Sequence, residues 1–294
     1  MSRLHGDAAA QACMESSDTA RTSAGRKLSR AALALLLRAG RITRHTGSWK
    51  GHNTLLRLYR KYLPADLKLR VNNFDGDLKF DVNMRGNVDI CLWHFPQLYE
   101  KEERELFCSL LTPGCTVLDV GAHIGFYTLL AAKRGARVFS VEADPANAAL
   151  LRHHVKINGF AGRVTVFEMA ATESARDVPL YRHAYNQGES NIIERGQPAG
   201  AVPGKTLDSL DLPAIDICKM DIEGAELMAL RGMERTLERA PHIKLLVEYA
   251  AHLGAGEALV SYLRARFKSV QVIEPYPTAT PDEIPAFCNL LAVR

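Results

Sequence analysis

Short apolar runs alternate with stretches of helical periodicity from about residue 116 onward. Each run suits one buried strand, and the stretches between them have the spacing of amphipathic helices. We predict strands at Thr116–Val120, Arg137–Val141, Arg163–Glu168, Ile215–Met220 and Ile243–Glu248, and helices at Ile124–Arg134 and Pro145–Ile157. This alternation predicts an α/β fold with a mostly parallel sheet and crossover helices.

The end of the chain adds apolar runs at Ser269–Ile273 and Phe287–Val293, after a helix near Gly256–Phe267. We expect these runs to form an antiparallel pair at one edge, which completes a Rossmann-like, doubly wound sheet of seven strands. The long interruption at Val178–Pro213 is rich in glycine and proline. We predict an irregular loop there, of the kind that often serves as a lid or a substrate wall.

The pattern before residue 90 is different. Leu67–Val71 and Leu78–Val82 alternate apolar and polar positions around an Asp-Gly pair at 75–76, which predicts a β-hairpin. Basic amphipathic patterns predict short helices at Lys27–Arg44 and Asn53–Tyr62.

The chain is therefore predicted to have three parts. Residues 1–26 lack periodicity and are rich in small and polar residues, so we predict that they are disordered. Residues 27–89 form a basic helical appendage with the β-hairpin, and residues 90–294 form the α/β domain.

Charge is distributed unevenly along the chain. The net charge is +4, yet residues 21–70 contain 13 Lys and Arg residues and a single acid, Asp66, so that the remainder carries −8. Such a basic arm suits weak contact with an anionic surface. An RNA-binding protein or nucleic-acid methyltransferase is an alternative, but the chain lacks the aromatic-rich ribonucleoprotein pattern and base-flipping motifs, so we expect no specific nucleic-acid partner.

The composition also indicates the cellular compartment of the protein. Apolar residues make up 47% and charged residues 24%, as in globular proteins, and no run approaches the ~20 apolar residues of a membrane span. The six cysteines have neither a C-x-x-C pair nor zinc-type spacing, and the N-terminus has no secretory pattern. We therefore predict a cytoplasmic protein with reduced, buried thiols.

The most informative motif is VLDVGAHIG at residues 117–125, in which a buried strand leads into a glycine turn that opens a helix. Gly121 and Gly125 let the backbone bend sharply and approach a ligand closely. The spacing departs from the G-x-G-x-x-G of nucleotide-binding oxidoreductases, which are the alternative on the same fold. It places Asp119 at the end of the strand, as in the D-x-G-x-x-x-G loops that bind methyl donors.

Glu142 ends the second strand, where a carboxylate can accept hydrogen bonds from both ribose hydroxyls of an adenosine. Glu142 alone would be interpreted as a solvated acid. Together with Asp119 and the glycine turn, it predicts a nucleoside ligand. Acidic strand ends also favour a positive sulfonium over a pyrophosphate.

A second cluster, KMDIEGAE at residues 219–226, follows the fourth strand. Period-two alternation predicts Lys219 and Asp221 on one side, facing the crevice in which such sheets bind ligands. Asp221 and Glu223 would then receive the methyl acceptor. The competing interpretation is structural: Lys219 pairs with Asp221, and Glu223 and Glu226 suit the positive end of the next helix.

These motifs resemble those of the FkbM methyltransferase family. The resemblance rests on VLDVGAHIGFYT, VEADP, Gly-Glu-Ser-Asn at 188–191, KMDIEGAE and LLVEY, and it covers residues 90–294. It implies a class I methyltransferase fold and methyl transfer from S-adenosylmethionine, commonly to hydroxyl oxygens of sugars or natural products. A small-molecule or glycan acceptor is the expected partner.

The resemblance also implies roles for individual residues. The methyl donor would be held by Asp119, Gly121, Ala122, His123, Gly125 and Glu142, and the reaction site would be lined by Lys219, Asp221 and Glu223. The family usually has Asn where His123 stands. Both side chains can donate and accept hydrogen bonds, so donor binding should survive this difference.

Methyl transfer requires alignment of the acceptor and removal of its hydroxyl proton. Asp221 is the first candidate for the base and Glu223 the second, with Lys219 orienting either carboxylate. His123 lies inside the donor loop, which favours a positioning role over that of a base. A binding protein that kept the donor pocket without catalysis is a further alternative.

The remaining histidines provide no catalytic or metal motif. His153 and His154 fall on the polar side of the second helix and are expected to be solvated. Because no histidine spacing indicates a metal site, we predict metal-independent transfer. The acceptor, the oligomeric state and the role of the basic arm are not determined by any motif.

Overall fold

The computed structural model describes residues 20–21, 27–28, 58–59, 67–83, 86–94, 96–183, 186–193, 196–252, 256–273 and 284–294. The chain divides into two compact units. The first comprises residues 1–99 with 185–188, and the second comprises residues 100–184 with 189–294. All residues of the predicted donor and reaction sites belong to the second unit.

The elements of the first unit are β1 (Ala20–Arg21), β2 (Lys27–Leu28), β3 (Lys68–Phe74), β4 (Leu78–Asn83) and α1 (Asn87–His94). β3 and β4 pair antiparallel, with Val71 opposite Phe80, which confirms the predicted hairpin. Asp75 and Gly76 both have left-handed backbone, with φ of 45° and 96°. Asp-Gly pairs adopt this conformation readily in hairpin turns.

The other N-terminal predictions lie almost wholly outside the described residues. These are the disorder of residues 1–26 and the helices at Lys27–Arg44 and Asn53–Tyr62. Where the chain is described, Ala20–Arg21 pairs antiparallel with Lys27–Leu28, so the structure has a short strand where the first helix was expected to begin. The first N–H groups of a helix have no hydrogen-bond partner inside the helix. Residues at the start of a predicted helix can therefore pair as a strand without losing helical hydrogen bonds from these groups.

The second unit contains the α/β fold. Its strands are β5 (Thr116–Val120), β6 (Arg137–Glu142), β7 (Val164–Glu168), β8 (Ala170–Ala171), β9 (Arg176–His183), the second half of β10 (Asn186–Asn191), β11 (Gln197–Lys205), β12 (Ile217–Met220), β13 (Lys244–Ala250), β14 (Ser269–Val272) and β15 (Phe287–Val293). Its helices are α2 (Lys101–Leu110), α3 (Phe126–Lys133), α4 (Pro145–Ile157), α5 (Glu226–Arg231), α6 (Glu234–Glu238) and α7 (Gly256–Arg266), with a 3₁₀ turn at Leu207–Leu210.

Within the described residues, the large sheet has seven strands in the order β14–β15–β13–β12–β5–β6–β7. The five strands from β13 to β7 run parallel. β15 is antiparallel to both of its neighbours. The predicted Rossmann-like, doubly wound and mostly parallel sheet is confirmed, together with the antiparallel pair at its edge.

The direction in which strands are added reverses between β5 and β12. From β5 the chain continues through α3 to β6 and through α4 to β7, whereas β12 lies on the other side of β5 and continues through α5 and α6 to β13. Crossovers between parallel strands are right-handed, so the two directions place their helices on opposite faces. Ligands of such sheets bind at this switch point, outside the carboxyl ends of the strands.

The strands beside the switch point are buried on both faces. All of β12 is buried, as is β5 after its first residue. Leu118, Cys218 and Leu245 have no exposed surface, as expected of parallel strands covered by helices on both sides. The polar residues of these strands, Asp119 and Lys219, are equally buried, and burial at this depth requires partners for their charges.

The prediction of an irregular loop at Val178–Pro213 is wrong, because most of this segment is β-structure. It contributes to a second, smaller sheet in the order β10–β9–β11–β8, which we call the small sheet. The core of the small sheet consists of Ala170, Val178, Leu180 and Val202. Glycine and proline in β11 hide the strand pattern, and the pairing of β11 with β9 shifts register between Pro198 and Ala201 to accommodate them.

The five cysteines in the described residues are free. Four of them are buried, namely Cys91, Cys115, Cys218 and Cys288. Burial raises the pKa of the Cys288 thiol to about 12, so it is unreactive at neutral pH. Cys13 lies outside the described residues. No helix in the described part of the chain has the length and apolar character needed to cross a bilayer.

Candidate active site

Two glycines shape the turn after β5, which we call the donor turn (residues 121–125). Gly121 and Gly125 have φ of 83° and 97°, in the region that favours glycine. A Cβ atom on Gly121 would overlap the carbonyl oxygen of Asp221. The N–H groups of Gly121 and Ala122 donate to the Val141 carbonyl oxygen at 2.9 and 3.0 Å. The ends of β5, β6 and β12 therefore meet at the donor turn.

Asp119 is buried within the large sheet, with 2% of its surface exposed. Its Oδ2 accepts a hydrogen bond from the Thr128 hydroxyl at 2.5 Å, and that hydroxyl lies 2.7 Å from the Ser140 Oγ. Burial raises the pKa of Asp119 to about 6, against the opposing effects of the Thr128 hydrogen bond and the Lys219 charge. The predicted donor contact at Asp119 would thus use a carboxylate that α3 already anchors.

Glu142 ends β6 and is only 6% exposed. Its Oε2 accepts the His123 N–H and its Oε1 accepts the Asp144 N–H, both at 2.8 Å. Burial raises the pKa of Glu142 to about 7, although these backbone hydrogen bonds favour the charged form. The Asn147 side chain also donates to this carboxylate. Because a carboxylate has about four acceptor positions, Glu142 can hold the donor turn and still accept from a hydroxyl group of a ligand.

His123 contacts Glu142 through its backbone rather than through its imidazole. Its φ of 49° is left-handed, as the donor turn requires. Burial lowers the pKa of the imidazole to about 4, and the nearby carboxylates of Asp221 and Asp144 offset this only in part. His123 is therefore neutral at physiological pH, and its positioning role stays a prediction.

The prediction for His154 is wrong, whereas that for His153 is confirmed. His153 is exposed on α4, but His154 has no exposed surface. The Nδ1 atom of His154 lies 2.7 Å from the Ile124 carbonyl oxygen. This hydrogen bond ties α4 to the donor turn, and it satisfies an imidazole nitrogen that would be costly to bury alone.

The Lys219 ammonium is buried at the end of β12, with 3% of the side chain exposed. Its Nζ lies 3.2 Å from Asp221 Oδ2 and 5.3 Å from the centre of the Tyr127 ring. Burial alone would lower the pKa of Lys219, but the carboxylates of Asp221, Glu100 and Glu248 outweigh it and raise the pKa. The pairing confirms that Lys219 and Asp221 share one side, and it keeps the ammonium charged next to Asp221.

Asp221, Glu223 and Glu248 form a group that we call the acidic cluster. One carboxylate oxygen of each residue lies within 4.8 Å of those of the other two. Glu223 has a left-handed φ of 57°, a costly backbone conformation that the surrounding structure must impose. Burial, together with the charges of Asp221 and Glu223, raises the pKa of Glu248 to about 10. Glu248 is therefore protonated at neutral pH.

The same spacing is compatible with a divalent cation held by three carboxylate oxygens. The Lys219 ammonium already supplies a positive charge to Asp221, so it would compete with such a cation. Metal-independent transfer stays a prediction.

Glu226 has a structural role. It is 5% exposed, and its Oε1 accepts the N–H groups of Ile222 and Gly224 at 3.0 and 3.1 Å. These bonds close the turn between β12 and α5. Of the two interpretations that the sequence left open for Glu226, the geometry supports the structural one.

Two residues beside the acidic cluster carried no functional signal in the sequence. Glu100 has a left-handed φ of 44° just before α2, and its Oε2 accepts a hydrogen bond from the Tyr127 hydroxyl at 2.6 Å. Tyr127 belongs to the VLDVGAHIGFYT motif, but a buried aromatic residue on a helix is normally interpreted as core. Only the packing of α2 against α3 brings Glu100 to Lys219.

Replacing Glu248 with glutamine is expected to stabilise the protein increasingly as the pH rises. In the unfolded chain Glu248 ionises near pH 4.5, whereas in the folded protein it keeps its proton up to about pH 10. Between these values the unfolded state binds fewer protons, so the wild type loses up to about 1.4 kcal/mol of stability per pH unit from this group. Urea unfolding at about pH 5 and about pH 9 measures the difference. An equal effect at both pH values would contradict the burial of a protonated Glu248.

Residues 119–276, more than half of the chain, match the sequence model of a family described as "Methyltransferase FkbM domain". The match includes both the donor turn and the acidic cluster. The crystal structure of methyltransferase FkbM from Methylobacillus flagellatus KT is similar, with 22% sequence identity and a TM-score of 0.44. That similarity covers 70% of this chain and 54% of the crystallised one, so the chain spans about half of its length.

Two curated proteins are similar over part of their length. The chain is 27% identical over 203 residues to the AMB antimetabolite synthetase AmbE of Pseudomonas aeruginosa, which covers 53% of the chain and 10% of that protein. It is 33% identical over 85 residues to arginine N(omega)-methyltransferase of Streptomyces achromogenes subsp. streptozoticus, which covers 27% of the chain and 24% of that protein. The chain therefore spans a quarter or less of each relative.

Proposed function

The chain belongs to the FkbM methyltransferase family, and we propose that it methylates a hydroxyl oxygen of a sugar, glycan or natural product. The methyl donor is S-adenosylmethionine. The residues proposed to hold the donor are Asp119, Gly121, Ala122, His123, Gly125 and Glu142, and those proposed to act on the acceptor are Lys219, Asp221 and Glu223.

The donor turn fits such a ligand. Gly121 and Gly125 have no side chains, so a ligand can approach the backbone closely at these two positions. Glu142 retains acceptor capacity for ribose hydroxyls after binding two backbone N–H groups. S-adenosylmethionine supplies the methyl group from a positive sulfonium, which suits an environment rich in carboxylates.

The observation that carries the proposal is the difference in exposure between Lys219 and Asp221. Lys219 is buried, whereas the Asp221 side chain is 33% exposed at the switch point of the sheet. The other acids nearby are less suited to take a proton, because Glu226 is tied to the turn and Glu248 is already protonated. Asp221 is thus the ionisable carboxylate that is both oriented and accessible, and Glu223 is the second candidate.

We assign the proton of the acceptor hydroxyl to the Asp221 carboxylate. Asp221 would take this proton as the oxygen–carbon bond forms and the sulfur–methyl bond of the donor breaks, with S-adenosylhomocysteine as the leaving group. Lys219 holds that carboxylate in one orientation at 3.2 Å. Because the pKa of Lys219 is raised, its ammonium keeps its proton and does not compete as the base. This division of roles requires the acceptor oxygen to come within hydrogen-bond distance of Asp221.

The proposal is tested by supplying methyl-labelled S-adenosylmethionine to the purified protein with fractionated cell extract. We expect label in a polar small-molecule or glycan fraction, and tandem mass spectrometry should place the methyl group on oxygen. Label on carbon or nitrogen in every product would contradict a hydroxyl acceptor.

A nitrogen acceptor is the second candidate function, and the acidic cluster favours it. Three carboxylates within 4.8 Å suit a cationic amine or guanidinium, which bind acids through charge-assisted hydrogen bonds. One relative, similar over 85 residues, is an arginine N(omega)-methyltransferase. Arginine and simple amines should therefore be tested as methyl acceptors in parallel with the extract fractions. A cationic acceptor would favour the ionised form of Glu248, so it should lose affinity in Glu248→Gln, which cannot ionise. A neutral hydroxyl acceptor requires no charge at Glu248, so hydroxyl methylation should tolerate that change.

A further inference from the structure

The small sheet holds one carboxylate next to the proposed donor site, that of Asp144. The Asp144 side chain is 3% exposed. It accepts hydrogen bonds from Arg182 Nε at 2.5 Å and Nη2 at 2.6 Å, and from the Ser190 hydroxyl at 3.1 Å. Arg182 lies on β9 and Ser190 on β10, so two strands of the small sheet reach the same buried group.

Asp144 is also connected to the proposed donor site. Its backbone N–H donates to Glu142 Oε1 at 2.8 Å, and its Oδ1 caps α4 by accepting the Ala146 N–H at 2.9 Å. A single residue thus joins the Glu142 carboxylate, the start of α4 and the small sheet. A displacement of Asp144 would change the position of Glu142.

The hydrogen bonds from Arg182 and Ser190 to Asp144 stabilise the charged carboxylate strongly. Burial would raise the pKa of Asp144, but the Arg182 guanidinium, the Ala146 N–H and the Ser190 hydroxyl hold it below its usual range. A buried carboxylate is costly without such partners, and a two-point pairing with arginine is among the stronger ones. By contrast, the exposed Arg152–Glu168 pair at 2.7 Å is of the kind that contributes little.

We propose that Arg182 and Ser190 are positioning residues for the methyl donor. They hold Asp144, and Asp144 holds the carboxylate that takes the ribose. This inference rests on the proposed donor site at Glu142. It gives the small sheet a role in the reaction, because a donor site formed by the large sheet alone would lack the partners of Asp144.

The test is the affinity for S-adenosylmethionine and S-adenosylhomocysteine, measured by calorimetry without any acceptor. We expect Arg182→Ala to weaken both ligands by the same factor, about three- to tenfold, because the ribose is common to both. Arg182→Lys should restore part of the loss, since lysine keeps the charge without the two-point geometry. Ser190→Ala should have a smaller effect in the same direction. At saturating donor, the turnover of Arg182→Ala should stay within about twofold of wild type while its KM for the donor rises.

Arg152→Ala is the matched control, because it removes an arginine–carboxylate pair of similar length from exposed residues. Its donor affinity should not change. Wild-type affinity in a folded Arg182→Ala variant would overturn the inference but leave the proposed function intact. If Arg182→Ala does not fold, the inference is tested with Arg182→Lys and Ser190→Ala instead. Unchanged donor affinity in both of these variants would overturn the inference. Failure of the wild type to bind either ligand would overturn the donor site itself.

Discussion

Asp221→Asn is expected to lower methyl transfer by about 10²–10⁴-fold while donor affinity changes by no more than about a few-fold. Asparagine keeps the shape of the side chain and most of its hydrogen-bonding capacity, but it cannot take a proton. Its carbonyl oxygen can still face the Lys219 ammonium, which is 3.2 Å from Asp221 Oδ2 in the wild type. The rate is measured as label incorporation into the active extract fraction, so the acceptor need not be identified.

Two further variants test whether the loss of methyl transfer is specific to Asp221. Glu223→Gln tests the second candidate for the base within the same acidic cluster. Asp211→Asn is a control for the chemical change itself, because Asp211 has a side chain that is 93% exposed and pairs only at the surface with Arg239. Near-normal transfer by Asp221→Asn, together with a large loss in Glu223→Gln, would assign the base to Glu223.

Glu142→Ala is expected to weaken donor binding at least about tenfold, because charge-assisted hydrogen bonds to ribose contribute about 1.5–3 kcal/mol each. Affinity in the wild type should also fall as the pH drops below about 7, since burial raises the pKa of Glu142 to about 7 and the protonated carboxyl loses acceptor capacity. Calorimetry across this pH range measures both effects. Unchanged affinity in the variant would remove Glu142 from the donor site.

Glu168→Ala is the control that the sheet itself offers. Glu168 ends β7 directly opposite Glu142 in the parallel register, but it is exposed and pairs with Arg152. Its removal should leave donor affinity unchanged. Glu142→Gln completes the set, because alanine leaves the N–H groups of His123 and Asp144 without an acceptor, whereas glutamine keeps one carbonyl oxygen there. A loss of affinity shared by both variants therefore reports on the charge.

The residues that the sequence placed correctly share a physical origin. Asp119 and Glu142 lie at the carboxyl ends of two parallel strands, and Asp221 directly follows a third. Parallel strands bring their carboxyl ends to one edge of the sheet. Once the strand–helix alternation was recognised, sequence position was enough to predict which side chains meet. The close approach at Gly121 was implied by glycine itself, and the structure identifies the Asp221 carbonyl as the neighbouring group.

The wrong predictions concern residues whose local sequence pattern does not reflect their packing in the fold. The strand β9 contains a proline, and β11 contains both glycine and proline. Their core is small, so few of their positions need to be apolar. His154 was predicted to be solvated because histidine is polar, yet the Ile124 carbonyl oxygen satisfies it in the interior. Neither outcome could be predicted from local composition, since both depend on partners distant in the chain.

The sequence by itself determined the α/β class, the strand ends that carry acids, the glycine turn and the family resemblance, because each depends on periodicity or on residues adjacent in the chain. Only the tertiary structure decided which charges neutralise one another. Lys219 keeps its proton because the carboxylates of Asp221 and Glu100 lie near it. Glu248 keeps its own proton because it is buried beside the charges of Asp221 and Glu223. Electrostatic interactions depend on distance in space and on burial, and neither can be obtained from the spacing of residues along the chain.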